Sequence, residues 1–198
     1  DRAAQRAGSK IDGGSLRSMR RGMALAAELG LPFVSVVDTP GAELSARAEE
    51  RALAGEIART LADLTTLRVP TVSVLLGEGA GGAALAGLPA DLVLAAETAW
   101  LTPLPPEGAA AIRLRDPDRA AEMAAVQRVT AAHLREMGAI DELIVEQGDW
   151  ISDVGAAMGR AVESVSHNMV ARHDTVELHP DQLHKRTQHW RNLEMPAL

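Results

Sequence analysis

The chain is predicted to be an α/β domain built on a parallel sheet, and three observations carry that prediction. Two apolar, β-branched runs, Pro32 to Asp38 and Val69 to Leu76, flank a stretch with helical periodicity. Each run ends in a turn signal, Thr39-Pro40-Gly41 after the first and Gly77-Glu78-Gly79-Ala80-Gly81-Gly82 after the second. A strand–helix–strand unit closes with a right-handed crossover, so both turns should lie at one carboxyl edge of the sheet. Open α/β sheets bind their ligands on that edge.

The elements follow in order. Ser15 reads as the N-cap of a helix with Leu16, Met19, Met23 and Ala27 on one face, and Gly30 ends it. The Met19/Met23 stripe is read as core. Ser45 reads as the cap of one long helix, with Glu49 and Glu50 in its first turn and Leu53, Ile57, Leu61 and Leu64 inward. Pro70 introduces the second strand, and Gly87 and Pro89 keep the helix after the glycine run short. Asp91 to Ala96 and Ala99 to Thr102 read as two more strands. Pro103, Pro105 and Pro106 form a rigid loop ending at Glu107-Gly108. Helices are expected over Asp116 to Gln127, Thr130 to Met137 and Ile151 to Ala171, with a strand at Glu142 to Glu146. A domain spanning residues 1–171 is followed by a polar tail, 172–198, with a last helix near Gln182 to Asn192.

Composition narrows the function. Apolar residues make up 46% of the 198, enough for a core, but aromatics are only 2%, too few for base stacking or a sugar platform. A net charge of −7 argues against nucleic acid as a general partner. The chain has no Cys, which excludes disulfides, thiolate zinc sites and cysteine nucleophiles. No apolar run reaches membrane-spanning length and the first residues are not a signal peptide, so cytoplasm is the expected compartment. The chain has no initiator Met and no strand pattern at its start, so it is expected to be a piece whose N-terminal strands lie elsewhere.

The glycine run carries the chemistry. Glycines let the backbone approach a ligand, and the first N–H groups of a helix have no intrahelical acceptor. Such a turn suits a phosphate, a carboxylate or a developing oxyanion. Gly77, Gly79 and Gly82 match G-x-G-x-x-G, and Glu97 lies about twenty residues further on, as a dinucleotide site requires. The interrupted helix is too short for that crossover, and no Lys-Ser/Thr follows for a P-loop. A tight turn without a ligand would be costly in chain entropy with four glycines in six residues. Glu78 could act as a base, or simply sit in the favourable field of the helix N-terminus.

Several motifs together resemble a known family. Val37-Asp38-Thr39-Pro40-Gly41, Glu49-Glu50-Arg51, the glycine run and Pro106-Glu107-Gly108-Ala109 stand in the order and spacing of carboxyltransferase subunits. Thr130-Ala131-Ala132-His133-Leu134 and Gly138-Ala139-Ile140-Asp141-Glu142-Leu143-Ile144 resemble the family's closing helix and strand. Over residues 11–144 the chain is similar to the α-type half of the acetyl-CoA (acyl-CoA) carboxylase carboxyltransferase. The resemblance implies a crotonase-like fold of repeated ββα units with a helical C-terminal extension. It implies transfer of CO₂ from carboxybiotin, held covalently on a separate carrier protein, to the α-carbon of an acyl-CoA such as acetyl-CoA. The setting it implies is an ATP-dependent complex serving fatty acid biosynthesis.

Carried over residue by residue, the resemblance places a biotin-side oxyanion hole on the backbone of Gly81 and Gly82. Gly41, Gly79, Ala83, Pro106, Glu107 and Gly108 would surround the ligands, with Gly41 and Gly108 letting the surrounding loops approach the ligands closely. The biotin anion can take the α-proton, so no side-chain base is required, and no metal is expected in this chain. The thioester-side glycine pair belongs to the β-type half, and the chain shows no second such turn. The implied partners are therefore a β-type half, the biotin carboxyl carrier protein and biotin carboxylase, in a hetero-oligomer. Alternatives are a malonate-type decarboxylase subunit and a non-catalytic assembly subunit. An enoyl-CoA hydratase is disfavoured because no acid/base glutamate pair is evident.

Remaining residues have competing readings. His133, His167, His173, His179, His184 and His189 invite a metal site, but the five- and six-residue spacings in the C-terminal group do not stack on one helix face. A solvated histidine-rich tail is the plainer reading. His184-Lys185-Arg186 with Trp190-Arg191 is either a docking surface for a partner subunit or a solvated helix end. Arg113, Arg115 and Arg119 could meet CoA phosphates or be ordinary surface arginines.

Overall fold

Strand β2 (Thr71–Ala80) is the axis of the sheet. It pairs in parallel with β1 (Phe33–Thr39) on one edge and with β3 (Leu92–Ala96) on the other. β5 (Glu142–Ile144) extends the sheet beyond β3, giving the order β1-β2-β3-β5. β4 (Trp100–Thr102) pairs in parallel with the far end of β2, through Glu78, Gly79 and Ala80. The computed structural model describes residues 10–43, 45–145, 148–170 and 180–191.

The alternation along β2 sorts its side chains between two layers. Leu75 faces a core with Leu85, Leu88, Val93, Ala95, Ala131 and Leu134, supplied partly by helices α4 (Gly81–Ala86) and α7 (Ala131–Glu136). Val72 and Val74 face the opposite side, where α8 (Trp150–Val170) contributes Ala157, Ala161 and Val165. A strand covered on both faces is buried along its length, and the first five residues of β2 are all buried, the hydroxyls of Thr71 and Ser73 being hydrogen-bonded. Helices α5 (Pro106–Arg113) and α6 (Ala120–Gln127) form a smaller cluster around Ala109, Ala110 and Met123.

Helix α1 (Gly13–Leu29) begins earlier than the Ser15 cap predicted. The Asp12 carboxylate accepts from the Ser15 backbone N–H at 2.7 Å and from its hydroxyl at 2.8 Å, so Ser15 lies in the first turn. Gly30, with φ +65°, ends the helix as expected. The inner face is Leu16, Met23 and Ala26, with Met19 half-buried and Ala27 exposed. The predicted single helix after Ser45 is two, α2 (Ala46–Glu50) and α3 (Leu53–Thr65). Ala52 breaks it in the left-handed region at φ +57°. Periodicity cannot see that break, because Arg51 and Ala52 are both good helix formers. α3 also buries Glu56, whose carboxylate pairs with Arg17, Arg20 and Arg59.

Arg186, on α9 (Pro180–Arg191), is fully buried. Its Nε and Nη2 donate to the two Asp91 oxygens at 3.0 and 2.8 Å. Nη1 donates to the carbonyl of Leu67 at 2.7 Å and of Thr65 at 3.2 Å, and Nη2 also reaches the carbonyl of Val69 at 3.2 Å. The same Asp91 carboxylate accepts from the Thr71 N–H and hydroxyl at 2.9 and 3.0 Å. One ion pair thus ties α9, the end of α3 and the first residues of β2 and β3. The predicted strand end Glu146, the helix end Ala171 and the tail residues His173, His179 and Asn192 lie outside the described residues.

Two predictions follow from these contacts. Asp91→Ala strands a buried guanidinium and Arg186→Met a buried carboxylate, so each should lower stability by about 3–5 kcal/mol in urea unfolding. The bonds from Ser15 hold the Asp12 carboxyl below its ordinary 3.8. A depressed folded-state pKa contributes stability that is full above the unfolded value and is lost as pH falls through the folded one. The gap of about 1 kcal/mol between wild type and Asp12→Ala should therefore hold from pH ~7 to ~5 and shrink below pH ~4 in thermal melts.

Candidate functional site

The two sequence turns meet where expected, at the carboxyl edge. Thr39 pairs with Gly79, and a Cβ on Gly41 would lie 3.2 Å from the Ala80 carbonyl oxygen. Gly41 has φ +116°, which only glycine adopts readily, and its N–H donates to the Thr39 hydroxyl at 3.2 Å. Gly41 therefore allows its loop to pack closely on the end of β2.

The glycine run divides into two kinds of position. Gly77 and Gly79 are inside β2 rather than in the turn. A Cβ on Gly79 would sit 2.6 Å from Leu101 Cδ1, 2.9 Å from Leu75 Cδ1 and 3.0 Å from the Trp100 carbonyl oxygen. A Cβ on Gly77 would sit 2.7 Å from Asp38 Oδ1. These glycines answer to packing between adjacent strands. The turn proper is Ala80-Gly81: Ala80 is still extended, Gly81 has φ +67°, and α4 begins at once. No side chain caps α4. Gly82 is exposed, and a Cβ there would make only ordinary contact with Ile57 at 3.5 Å. α4 has six residues, which removes the dinucleotide reading, since no helix of crossover length follows the glycines.

One cleft reaches α4 and a second lies beyond β4. The first, of about 310 Å³, is lined by Asp38, Thr39, Ala83 and Gly87 with residues of α1 and β1. The other, of about 600 Å³, is lined by Glu97, Trp100, Pro106, Glu107, Val129 and Thr130. The predicted set falls in two places: Gly41, Gly79, Gly81, Gly82 and Ala83 at or beside the end of β2, Pro106 and Glu107 in the larger cleft. Pairing of Glu78, Gly79 and Ala80 with β4 joins the two. Pro106-Glu107-Gly108 is the first turn of α5, not the end of a rigid loop. Pro106 occupies a first-turn position that needs no N–H donor, which favours starting the helix there. Within the chain, a Cβ on Gly108 would meet Leu104 at 3.5 Å in ordinary contact.

The other candidates resolve locally. Arg119 forms a double contact with Glu122, Nε at 2.9 Å and Nη2 at 2.6 Å, while Arg113 and Arg115 are exposed. Arg186 serves the core, and Lys185 lies 3.7 Å from Asp141, so this part of the basic cluster is engaged within the chain. The sequence pattern could not find this, because Asp91 is 95 residues away. No group of three or more metal-ligating side chains occurs among the described residues. No helix among them is long and apolar enough to cross a membrane. A residue missed by sequence reading is Asp38, whose Oδ1 accepts from the Glu78 N–H at 2.9 Å. Its position at the end of a strand, facing a glycine-rich neighbour, was the available signal.

A parallel sheet with a glycine turn at its carboxyl rim, followed by a short helix and one ββα succession, β3-β4-α5, gives the chain a crotonase-like fold. The chain belongs to the acetyl co-enzyme A carboxylase carboxyltransferase-like family, which it matches over residues 6–194. It is 47% identical over 195 residues to a probable biotin-dependent acyl-coenzyme A carboxylase beta3 subunit of Mycobacterium tuberculosis, covering 98% of this chain and 39% of the relative. It is 42% identical over 170 residues to the acetyl-coenzyme A carboxylase carboxyl transferase subunit alpha of Deinococcus radiodurans, covering 84% and 52%. The chain thus spans about half or less of these relatives. A Pseudomonas malonate decarboxylase hetero-tetramer solved with coenzyme A superposes with a TM-score of 0.72 at 16% identity, over 89% of this chain and 71% of that one.

The packing at Gly79 is testable alone. Gly79→Ala overfills the space between Leu101 and Leu75 and should lower stability by about 1–3 kcal/mol in urea unfolding, with the fold retained.

Proposed function

We propose that this chain is the α-type carboxyltransferase half of a biotin-dependent acyl-CoA carboxylase, and that its backbone at Gly81 and Gly82 forms the biotin-side oxyanion hole. The observation that carries the reading is the left-handed Gly81 opening an uncapped helix at the ligand-binding edge of the sheet, beside an exposed Gly82. Donors held in place before the reaction stabilise charge without reorganisation, and each is worth about 10²–10³ in rate. Carboxybiotin supplies the CO₂, and negative charge gathers on its ureido oxygen as the carboxyl group leaves.

The chain's own residues contribute shape and dipoles. Gly41, Gly79 and Ala83 let the strand ends crowd the turn, while Pro106, Glu107 and Gly108 start the helix bordering the larger cleft. A β-type half supplies the thioester-side hole, with biotin carboxyl carrier protein and biotin carboxylase completing an ATP-dependent, cytoplasmic hetero-oligomer that serves fatty acid biosynthesis. The relatives' names support carboxylation over the decarboxylase alternative: subunit alpha shares 42% identity, whereas the malonate decarboxylase shares 16% and attests the fold alone.

The test combines the chain with its partner half and a carboxybiotinylated carrier, and follows carboxylation of acetyl- and propionyl-CoA. Because Gly82 is exposed and a Cβ there makes only ordinary contact with the Ile57 side chain, Gly82→Val should keep the unfolding midpoint close to that of wild type. It should nevertheless lose carboxyl transfer by at least about 100-fold. A wild-type assembly without turnover, or a fully active Gly82→Val, would sink the reading.

A further inference from the structure

β1 and β2 pair residue for residue from Phe33↔Thr71 to Val37↔Leu75, and the next pair is Thr39↔Gly79. β1 advances two residues while β2 advances four. The extra length is a bulge at Leu76, Gly77 and Glu78, immediately before the turn that opens α4. Side chains alternate with a period of two, so closing this bulge by two residues would return every β2 side chain to its own face. The apolar pattern therefore does not guard against that slip. It would displace the Ala80-Gly81 turn by about 6.6 Å along the strand.

Asp38 stands where the bulge must be held. Its Oδ1 accepts from the Glu78 N–H at 2.9 Å and occupies the place a Gly77 side chain would take, 2.7 Å from an added Cβ. On the other edge, β4 holds Glu78, Gly79 and Ala80. We infer that Asp38 is a positioning residue: its carboxylate, seated against Gly77 and bonded to the Glu78 amide, holds β2 in the bulged register that places the Gly81 and Gly82 amides. The inference rests on the reading of those amides as an oxyanion hole. It also removes the Glu78 N–H from the set available to a ligand, since Asp38 already takes it.

The test is a double-mutant cycle in the assembled enzyme, with amide NMR spectra of the isolated chain as a second readout. Asp38→Ala should lower kcat about 10–100-fold and leave KM for acyl-CoA within about twofold, because the acyl-CoA contacts are not altered. Asp38→Asn keeps an acceptor oxygen and should return kcat to within about threefold of wild type. Gly77→Ala should reproduce the Asp38→Ala loss, and the double variant should be no worse than either single one, since both remove the same contact. In spectra, the Gly81 and Gly82 amide resonances should move in Asp38→Ala and return in Asp38→Asn. Multiplicative losses in the cycle, an unaffected Asp38→Ala kcat, or no rescue by Asn would overturn the inference. A wild-type assembly without turnover would defeat the functional reading instead, and the amide shifts would still decide whether Asp38 positions the turn.

Discussion

Strand β2 is flanked on both edges along most of its length, and the rest of the molecule is organised around that constraint. It pairs with β1 on one side, and on the other it exchanges β3 for β4 after Leu75. A strand enclosed in this way has no room for side chains where its neighbours crowd in. Gly77 and Gly79 meet that requirement, one against the Asp38 carboxylate and the other between Leu75, Leu101 and the Trp100 carbonyl. The exchange of partners also carries the carboxyl end of β2 out to the rim, so that the helix starting at Gly81 opens beside the clefts.

The two ends of β2 are held by different chemistry. At Thr71, a buried carboxylate and guanidinium satisfy backbone groups that would otherwise be orphaned among α3, β2 and β3. Such a pair costs much to desolvate and is kept only if its donors and acceptors are met, as those of Arg186 are. At Gly77, the exposed Asp38 carboxylate makes a single bond across a bulge.

Much of the fold was legible in the sequence because local rules and tertiary demands agree there. The largely apolar start of β2 is buried because helices cover both faces of the sheet there, and Gly87 and Pro89 shorten α4 as read. Where they disagree, the reading shifted. Asp12 outcompetes Ser15 as a cap because its carboxylate satisfies both the N–H and the hydroxyl of that serine. The helix after Ser45 breaks at Ala52, a residue with no preference for the left-handed region, so the break answers to packing. The dinucleotide-like spacing of Gly77, Gly79 and Gly82 mixes two strand positions with one helix position, and only the pairing of β2 with β1 and β4 separates them.

By itself, the sequence determined the parallel α/β class, the shared edge of the two turns, the family and the glycine pair at the start of α4. Each depends on residues close together along the chain, or on motifs whose order is enough. Tertiary structure alone decided that Arg186 is core rather than surface, that Gly79 is a packing glycine and that Asp38 bonds across the bulge beside Gly77. Those roles belong to contacts between residues tens of positions apart, and the energy of a contact is set by what the fold brings to it.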